Sequence, residues 1–129
     1  MAPKVLIVDD CEDSCTLFKV LFEKLGAQVV TALNGADGIK AVAECGPQPF
    51  HLVMMDICMP HMNGRTASKQ LRDSGYKGVI AACTAVSSGE GRKESQTSGI
   101  DLYFDKRVVN LKLCSALLER AFPMGGVAA

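Results

Sequence analysis

The stretches Val-Leu-Ile-Val-Asp-Asp at residues 5–10 and Leu-Val-Met-Met-Asp at residues 52–56 decide the fold class of this chain. Each is an unbroken apolar run that ends in acid and is followed by helix-forming sequence. Such runs are typical of strands in a parallel sheet, which are buried on both faces. Neighbouring parallel strands present their carboxyl ends at one edge, where open α/β sheets bind ligands. The pattern therefore predicts that Asp9, Asp10 and Asp56 meet there, where they repel one another unless a cation or a proton joins them.

Composition limits the class of protein. The chain has 129 residues, the size of one domain, and a hydrophobic content of 48% is enough for a core. Its 14 basic and 14 acidic residues cancel, so there is no basic footprint for nucleic acid, and no apolar run reaches transmembrane length. The chain enters its first strand almost at once, without room for a signal peptide, so we expect a cytoplasmic location. Six cysteines form no C-x-x-C pair, and we expect most of them to be reduced and buried.

Five alternations of strand and helix are predicted along the chain. The strands are expected at residues 4–8, 28–32, 52–55, 79–83 and 102–104. The first helix is expected to end at Gly26, the second to run from Asn34 to Gly46-Pro47, and the third to end at about Asp73. The fourth is expected to begin at Ser87, and the fifth to begin near Leu111 and end before Pro123. The segment 89–98 has no large apolar residue, so the helix there has little to bury. Short βα units predict an α/β doubly wound sandwich with a five-stranded parallel sheet, formed by residues 1–123 and followed by a short tail, 124–129.

Polar residues follow four of the predicted strands. Asp9 and Asp10 follow the first strand and Asp56 the third, while Thr84 follows the fourth and Lys106 the fifth. Carboxylate oxygens are hard ligands that suit Mg²⁺ or Mn²⁺. A hydroxyl and an ammonium group suit phosphate oxygens. Together these groups predict a site for phosphoryl transfer.

The chain resembles the receiver domain of two-component response regulators over about residues 4–122. The matching segments are the acid-ended run at 5–10, Met-Met-Asp-Ile-Cys-Met-Pro at 54–60, Asn63-Gly64, Thr84-Ala85 and Tyr-Phe-Asp-Lys at 103–106. The order and spacing of these segments carry the resemblance. The resemblance implies a flavodoxin-like (βα)5 sandwich with strand order 2-1-3-4-5. It also implies a signalling module that catalyses only its own phosphorylation and dephosphorylation, and no classical enzyme.

The resemblance implies roles for the acidic residues. Asp56 is expected to be the phosphoacceptor, taking a phosphoryl group from a phosphohistidine. Asp10, Asp56 and the backbone carbonyl of Cys58 are expected to bind Mg²⁺ or Mn²⁺ directly. Asp9 is expected to act through a metal-bound water.

The resemblance also implies how the phosphate is held. Lys106 is expected to pair with Asp56 at rest and with the phosphate afterwards. The hydroxyl of Thr84 and the backbone N–H groups of Ile57 and Ala85 are expected to bind phosphate oxygens. Thr84 and Tyr103 are implied as a conformational switch pair.

The implied partner is a histidine kinase or a histidine-phosphotransfer protein. The contact face is expected near Cys11, Ser14, Cys15 and Phe18 on the first helix. Neither nucleic acid nor a membrane is expected as a partner, and a homodimer formed on phosphorylation is left open.

The sequence departs from the family pattern after Lys106. The family usually has proline there, commonly with a cis bond, whereas this chain has Arg107. Because a cis bond without proline costs about 3 kcal/mol, we expect a trans bond and an altered loop. Beside the site, Cys58 and Val86 offer little to orient an attacking water, which predicts slow self-dephosphorylation, with lifetimes of minutes or longer.

Three alternatives stay open from the sequence. A small phosphatase with an aspartyl-phosphate intermediate would use the same nucleophile, but Cys58 stands where that class usually has a second acid. A flavin- or nucleotide-binding module would need a phosphate-cradling loop, and no G-x-G-x-x-G occurs. A pseudo-receiver that is not phosphorylated is motivated by Arg107. His51 and His61 are assigned no role.

Overall fold

The described residues form three layers, with a central sheet that has helices on both faces. The computed structural model describes residues 2–45, 49–57, 59, 62–84 and 99–123, with Thr84 described by its backbone. The strands are β1 (Lys4–Val8), β2 (Gln28–Ala32), β3 (Leu52–Asp56), β4 (Val79–Thr84) and β5 (Leu102–Asp105). The helices are α1 (Glu12–Lys24), α2 (Gly35–Ala43), α3 (Gly64–Asp73) and α4 (Leu111–Ala121), with a 3-10 turn at Lys106–Val108. The helix predicted from Ser87 lies outside the described residues.

All five strands are parallel and lie in the order β2-β1-β3-β4-β5. This order confirms the doubly wound, flavodoxin-like fold. The strand bounds agree with the sequence except that β3, β4 and β5 each run one residue further than predicted. Those additions are Asp56, Thr84 and Asp105, so the strands reach into the polar edge.

Alternating residues of the central strands supply two cores, one on each face of the sheet. Leu6 and Val8 of β1 belong to the core that α3 covers through Ala67 and Leu71. The intervening strand residues face the other core, whose helical members on α1 and α4 are Cys15, Phe18, Phe22, Cys114, Leu117 and Leu118. Because both faces are covered, β3 is buried along its whole length and β1 is buried from Val5 to Val8.

Asparagine caps determine where three of the helices begin. Asn34, Asn63 and Asn110 precede α2, α3 and α4, and each side chain accepts a hydrogen bond from the backbone N–H three residues on. α1 begins differently, because the carboxylate of Asp9 accepts from the N–H of Cys11 at 2.9 Å. The start of α1 is therefore tied to one of the predicted site acids.

Two helices bury less of their apolar surface than the sequence predicts. In sequence, Leu17 and Val20 of α1 belong to one wide apolar stripe with Phe18, Leu21 and Phe22, yet they are 52% and 44% exposed. Leu111 is at helical spacing from Cys114 and Leu118 in the last helix, yet it is 42% exposed. The sheet contacts only a narrow strip of each helix, so residues at the border of a wide stripe remain at the surface.

Arg72 holds the beginning of β5 against β4. Its guanidinium donates to the carbonyls of Tyr76, Gly78 and Gly99 and to the carboxylate of Asp101. Asp101 in turn accepts from the backbone N–H of Ile80 at 2.9 Å. The entry to β5 is thus secured by a network of partly buried hydrogen bonds.

Among the described helices, none has the length and apolarity needed to cross a membrane.

Candidate functional site

Strand register brings the predicted acids together. Val8 of β1 is aligned with Met55 of β3, so the next residues, Asp9 and Asp56, are neighbours at the carboxyl edge of the sheet. Asp9 is 1% exposed and Asp56 is 4% exposed. Asp10 is exposed, and ligand oxygens of all three acids lie within 4.8 Å of one another.

Lys106 reaches this acidic cluster from the end of β5, the outer strand next to β4. Its Nζ lies 2.8 Å from Oδ2 of Asp9 and 3.7 Å from Oδ2 of Asp56, and its side chain is 22% exposed. Burial by itself lowers the pKa of Lys106, but the hydrogen bond to Asp9 and the charges of Asp56 and Asp9 outweigh it and raise that pKa. Lys106 is therefore firmly protonated. Its ammonium lies closer to Asp9 than to Asp56, whereas the family resemblance implied a pairing with Asp56.

Asp9 is held through both carboxylate oxygens. Oδ1 accepts the N–H of Cys11, and Oδ2 forms the ion pair with Lys106. Apart from that ion pair, the buried Oδ2 has no hydrogen-bond partner in the described part of the chain. Three carboxylates meet one ammonium here, and Oδ2 of Asp9 has capacity to accept a further ligand.

The first residue of α3 lies directly against the backbone of Asp56 and Ile57. The N–H of Gly64 donates to the carbonyl of Ile57 at 2.9 Å. A Cβ at Gly64 would lie 2.3 Å from the carbonyl oxygen of Asp56, which no side chain tolerates. Glycine at position 64 therefore lets the first turn of α3 lie directly on the backbone of the predicted phosphoacceptor.

The backbone N–H of Ile57 is engaged in the sheet. It donates to the carbonyl of Cys83 at 3.0 Å and so extends the β3–β4 ladder beyond Asp56. This N–H is therefore already engaged in the described geometry, and its binding to a phosphate oxygen remains a prediction. Binding of a phosphate oxygen there requires the hydrogen bond to Cys83 to be shared or broken.

Several other predicted site residues are described only in part. Cys58, Ala85 and Val86 lie outside the described residues. Of Thr84, the backbone is aligned with Asp105 across the β4–β5 pair. Tyr103 is half-buried and packs against the core that contains Ala82 and Ile100. The Thr84–Tyr103 switch pair remains a prediction.

Two buried cysteines surround the acids. The thiol of Cys15 donates to the backbone carbonyl of Asp9 at 3.3 Å, and burial, together with the charge of Asp9, raises its pKa to about 11. Burial also raises the pKa of Cys83, with a further contribution from Asp56. Cys114 is buried as well, whereas Cys11 is exposed. The raised pKa values keep Cys15 and Cys83 protonated, which fits packing rather than redox chemistry.

The turn that carries Lys106 contains a feature that the sequence analysis missed. The described residues contain no cis peptide bond, as expected for the Lys106–Arg107 bond, and Lys106 opens the 3-10 turn. Arg107 donates to Asp105 through its backbone N–H, its Nε and its Nη2. An acid and an arginine two residues apart, flanking a site lysine at a strand end, were the available signal.

His51 was likewise given no role, yet it joins elements at the opposite edge of the sheet. Its Nδ1 accepts the backbone N–H of Lys4 at 3.0 Å, and its ring meets the edge of Phe122 with centroids 4.6 Å apart. Burial and the charge of Lys4 lower the pKa of His51. This histidine is a structural link between β1 and the end of α4.

Comparison with known proteins assigns the family. The family profile "Response regulator receiver domain" matches residues 5–118. This chain is a member of the receiver-domain family. Receiver domains are signalling domains of two-component systems, not classical enzymes, and they pair with histidine kinases or phosphotransfer proteins.

The named relatives differ greatly in length from one another, and this chain spans only a small part of the first of them. It is 34% identical over 123 residues to the sensor histidine kinase GacS of Pseudomonas protegens, and the match covers 92% of this chain and 13% of that protein. It is 31% identical over 117 residues to the two-component response regulator 24 of Arabidopsis thaliana, covering 91% of this chain and 83% of that one. The solved structure of chemotaxis protein CheY4 from Vibrio cholerae matches with a TM-score of 0.84 at 24% identity, covering 95% of this chain and 100% of that one, and supports the fold.

Proposed function

We propose that this receiver accepts a phosphoryl group on Asp56 from a phosphohistidine of a histidine kinase or phosphotransfer protein, with the help of a divalent cation. The observation that carries the proposal is the juxtaposition of buried Asp56 with Asp9, Asp10 and Lys106 at one sheet edge. Residues 1–123 are proposed as the receiver unit. A cytoplasmic location and a homodimer formed on phosphorylation remain predictions.

Position distinguishes Asp56 from the other two acids as the acceptor. Both oxygens of Asp9 are engaged, one by the N–H of Cys11 and one by Lys106. Asp10 is exposed, so water competes with any group that it contacts. Asp56 is buried beside them on the neighbouring strand, and its Oδ2 lies 3.7 Å from the ammonium, which stabilises negative charge that a phosphoryl group brings.

The residues at the edge fit Mg²⁺ or Mn²⁺. Three carboxylates lie within ligand distance of one another, and Oδ2 of Asp9 can accept a further ligand, which matches the oxygen-rich, anionic sites of such cations. Asp10 and Asp56 are proposed as direct ligands with the carbonyl of Cys58, and Asp9 as a ligand through water. The cation, when bound, neutralises charge on the phosphoryl oxygens.

The proposed transfer is a nucleophilic displacement at phosphorus. A carboxylate oxygen of Asp56 forms a bond to phosphorus while the phosphorus–nitrogen bond to the donor histidine breaks. The electron pair of that bond returns to the imidazole ring, which leaves as neutral imidazole because its other ring nitrogen already carries a proton or takes one up from the donor protein or water as the bond breaks. Lys106 lies where it can exchange its contact with Asp9 for one with a phosphoryl oxygen on Asp56.

The proposed response to phosphorylation runs through Thr84 and Tyr103. The hydroxyl of Thr84 is proposed to bind a phosphate oxygen, and Tyr103 is proposed to turn inward as Thr84 moves. The partial burial of Tyr103 against Ala82 and Ile100 supports a ring with room to change its packing.

The partner face on α1 requires a correction. Phe18 and Cys15, expected at the contact, are buried against the sheet. Leu17 and Val20 are instead the exposed apolar residues of this helix. We therefore propose that a helical phosphotransfer partner contacts Leu17 and Val20.

The function is tested by phosphotransfer and by binding of beryllofluoride, a phosphoryl mimic, with Mg²⁺. Wild type is expected to take up both, and Asp56→Asn neither, because the amide cannot form the acyl phosphate. Asp73→Asn, at the exposed end of α3, is the matched control and is expected to behave as wild type. A wild type that takes up neither label overturns the proposal, and sustained turnover of phosphomonoesters favours the phosphatase instead.

A further inference from the structure

β5 carries Lys106 at the outer side of the sheet, with little support from the core. It is a four-residue strand, every residue of which is half-buried, and in the described structure it pairs only with β4. Its beginning is fixed by the Arg72–Asp101 network. Its end is not reached by that network, because Lys106 is five residues beyond Asp101.

A carboxylate–guanidinium clamp occupies that end of β5. Oδ1 of Asp105 accepts the backbone N–H of Arg107 at 2.8 Å and its Nε at 3.0 Å. Oδ2 accepts Nε at 3.0 Å and Nη2 as well. These hydrogen bonds from Arg107 lower the pKa of Asp105 to about 2. The turn is therefore closed by a charge-assisted, two-pronged contact that includes the backbone.

Lys106 stands between the two residues of this clamp. The direction of its side chain depends on the backbone of the 3-10 turn, whose other closing bond, from Val109 N–H to the Lys106 carbonyl, is long at 3.4 Å. Arg107 also neutralises Asp105, a carboxylate adjacent in sequence that would otherwise compete with Asp9 and Asp56 for the ammonium. The clamp thus acts on both the geometry and the charge around Lys106.

We propose that Arg107 is a positioning residue, which through Asp105 aims Lys106 at Asp9 and Asp56 and so sets how tightly the site holds a phosphoryl group. The inference rests on the proposed function. Arg107 itself is 75% exposed and its guanidinium pairs with Asp105, so we do not propose it as a catalytic residue. A merely structural surface ion pair contributes little to stability, and its loss leaves phosphoryl binding unchanged.

Two ligands separate positioning of Lys106 from support of the whole site. Mg²⁺ alone contacts the carboxylates, whereas beryllofluoride on Asp56 also needs the ammonium. For Arg107→Ala, calorimetric titration is expected to show beryllofluoride binding weakened about two- to fivefold at saturating Mg²⁺, the range that an exposed ion pair supplies. Binding of Mg²⁺ alone is expected to be unchanged or tighter, because a loosened Lys106 competes less for Asp9.

Three further variants make the test specific. Arg107→Lys retains the charge and is expected to restore part of the lost affinity. Arg120→Ala removes an equal charge from the exposed face of α4 and is expected to match wild type. In a Lys106→Ala background, Arg107→Ala is expected to have no further effect, since there is no ammonium left to aim.

The outcomes are distinguishable. Unchanged beryllofluoride affinity in Arg107→Ala, an equal loss of Mg²⁺ affinity, or an effect that persists without Lys106 each overturns the inference while the proposed function stands. A wild type that binds neither Mg²⁺ nor beryllofluoride overturns the proposed function, and the inference with it.

Discussion

The two halves of the site edge are built by different means. The acids follow β1 and β3, central strands whose residues Val5–Val8 and Leu52–Met55 have no exposed surface. Lys106 follows β5, a half-buried strand paired on one side, and its turn is closed by side chains at the surface. The core of the sheet therefore positions the carboxylates, whereas local hydrogen bonds position the ammonium group of Lys106. Damage to each half should therefore have a different signature.

The largest effect is expected from the acid half, with Gly64→Ala. The new Cβ would lie 2.3 Å from the carbonyl oxygen of Asp56, so α3 or the end of β3 must shift. We expect the free energy of unfolding in urea to fall by about 2 kcal/mol, the middle of the range for overpacking. Mg²⁺ and beryllofluoride affinity should fall together, because the backbone of Asp56 moves.

Gly35→Ala is the matched control for that steric effect. Its Cβ would meet the sulfur of Met62, a flexible side chain that can move away. A loss of stability in Gly35→Ala as large as in Gly64→Ala would contradict the special role of the Asp56 contact.

The next effect is expected from the lysine half, with Lys106→Met. Without metal, buried Asp9 loses its ion pair, and we expect a loss of about 1–2 kcal/mol in the free energy of unfolding. Mg²⁺ should stabilise this variant more than wild type, since no ammonium competes for the carboxylates and the metal binds only the folded state. Denaturant unfolding with and without Mg²⁺ measures both changes.

Lys24→Met, at the exposed end of α1 that leads to the start of β2, removes the same charge at the opposite edge of the sheet and should leave both quantities unchanged. The prediction fails if Lys106→Met gains no more from Mg²⁺ than wild type does.

The smallest effect is expected at the edge opposite the site, with His51→Asn. Burial and Lys4 lower the pKa of His51 in the folded state, so the unfolded state binds more protons as pH falls below about 6.5. The contribution of neutral His51 is therefore present above that pH and lost below it. The variant, which does not titrate, should show a flatter decline of stability between about pH 6.5 and 5, because that window lies below the ordinary pKa.

The measurement is the unfolding midpoint in urea across that pH range, for wild type and variant at equal ionic strength. An identical pH dependence in both proteins would rule out His51 as a contributor. Beryllofluoride affinity at neutral pH should not change, because His51 lies at the far edge of the sheet.

Most of the fold could be predicted because its strands are unambiguous. Five apolar runs alternate with helical patterns, and the predicted strand bounds are within one residue of those observed. The buried faces of the helices were harder. Leu17, Val20 and Leu111 fit an apolar stripe in sequence, but the width of the contact with the sheet decides which of them is covered.

The proximity of the candidate site residues could be predicted from the strand ends that carry them, whereas their roles remain predictions. Asp9, Asp10, Asp56 and Lys106 do come together at one edge. The prediction was incomplete where a contact depends on local geometry. The ladder bond of Ile57, the preference of Lys106 for Asp9 and the Asp105–Arg107 clamp each depend on distances of about 1 Å that residue types do not encode.

The sequence by itself determined the fold class, the strand that carries each acid and the edge at which the acids meet. Those properties follow from hydrophobic periodicity and from the parallel direction of the strands, which are local and topological facts. Only the tertiary structure decided which carboxylate holds Lys106, which N–H groups are already engaged and which residue of α1 faces outward. Register, burial and competition among several possible partners determine these contacts, and they exist only once the strands are aligned.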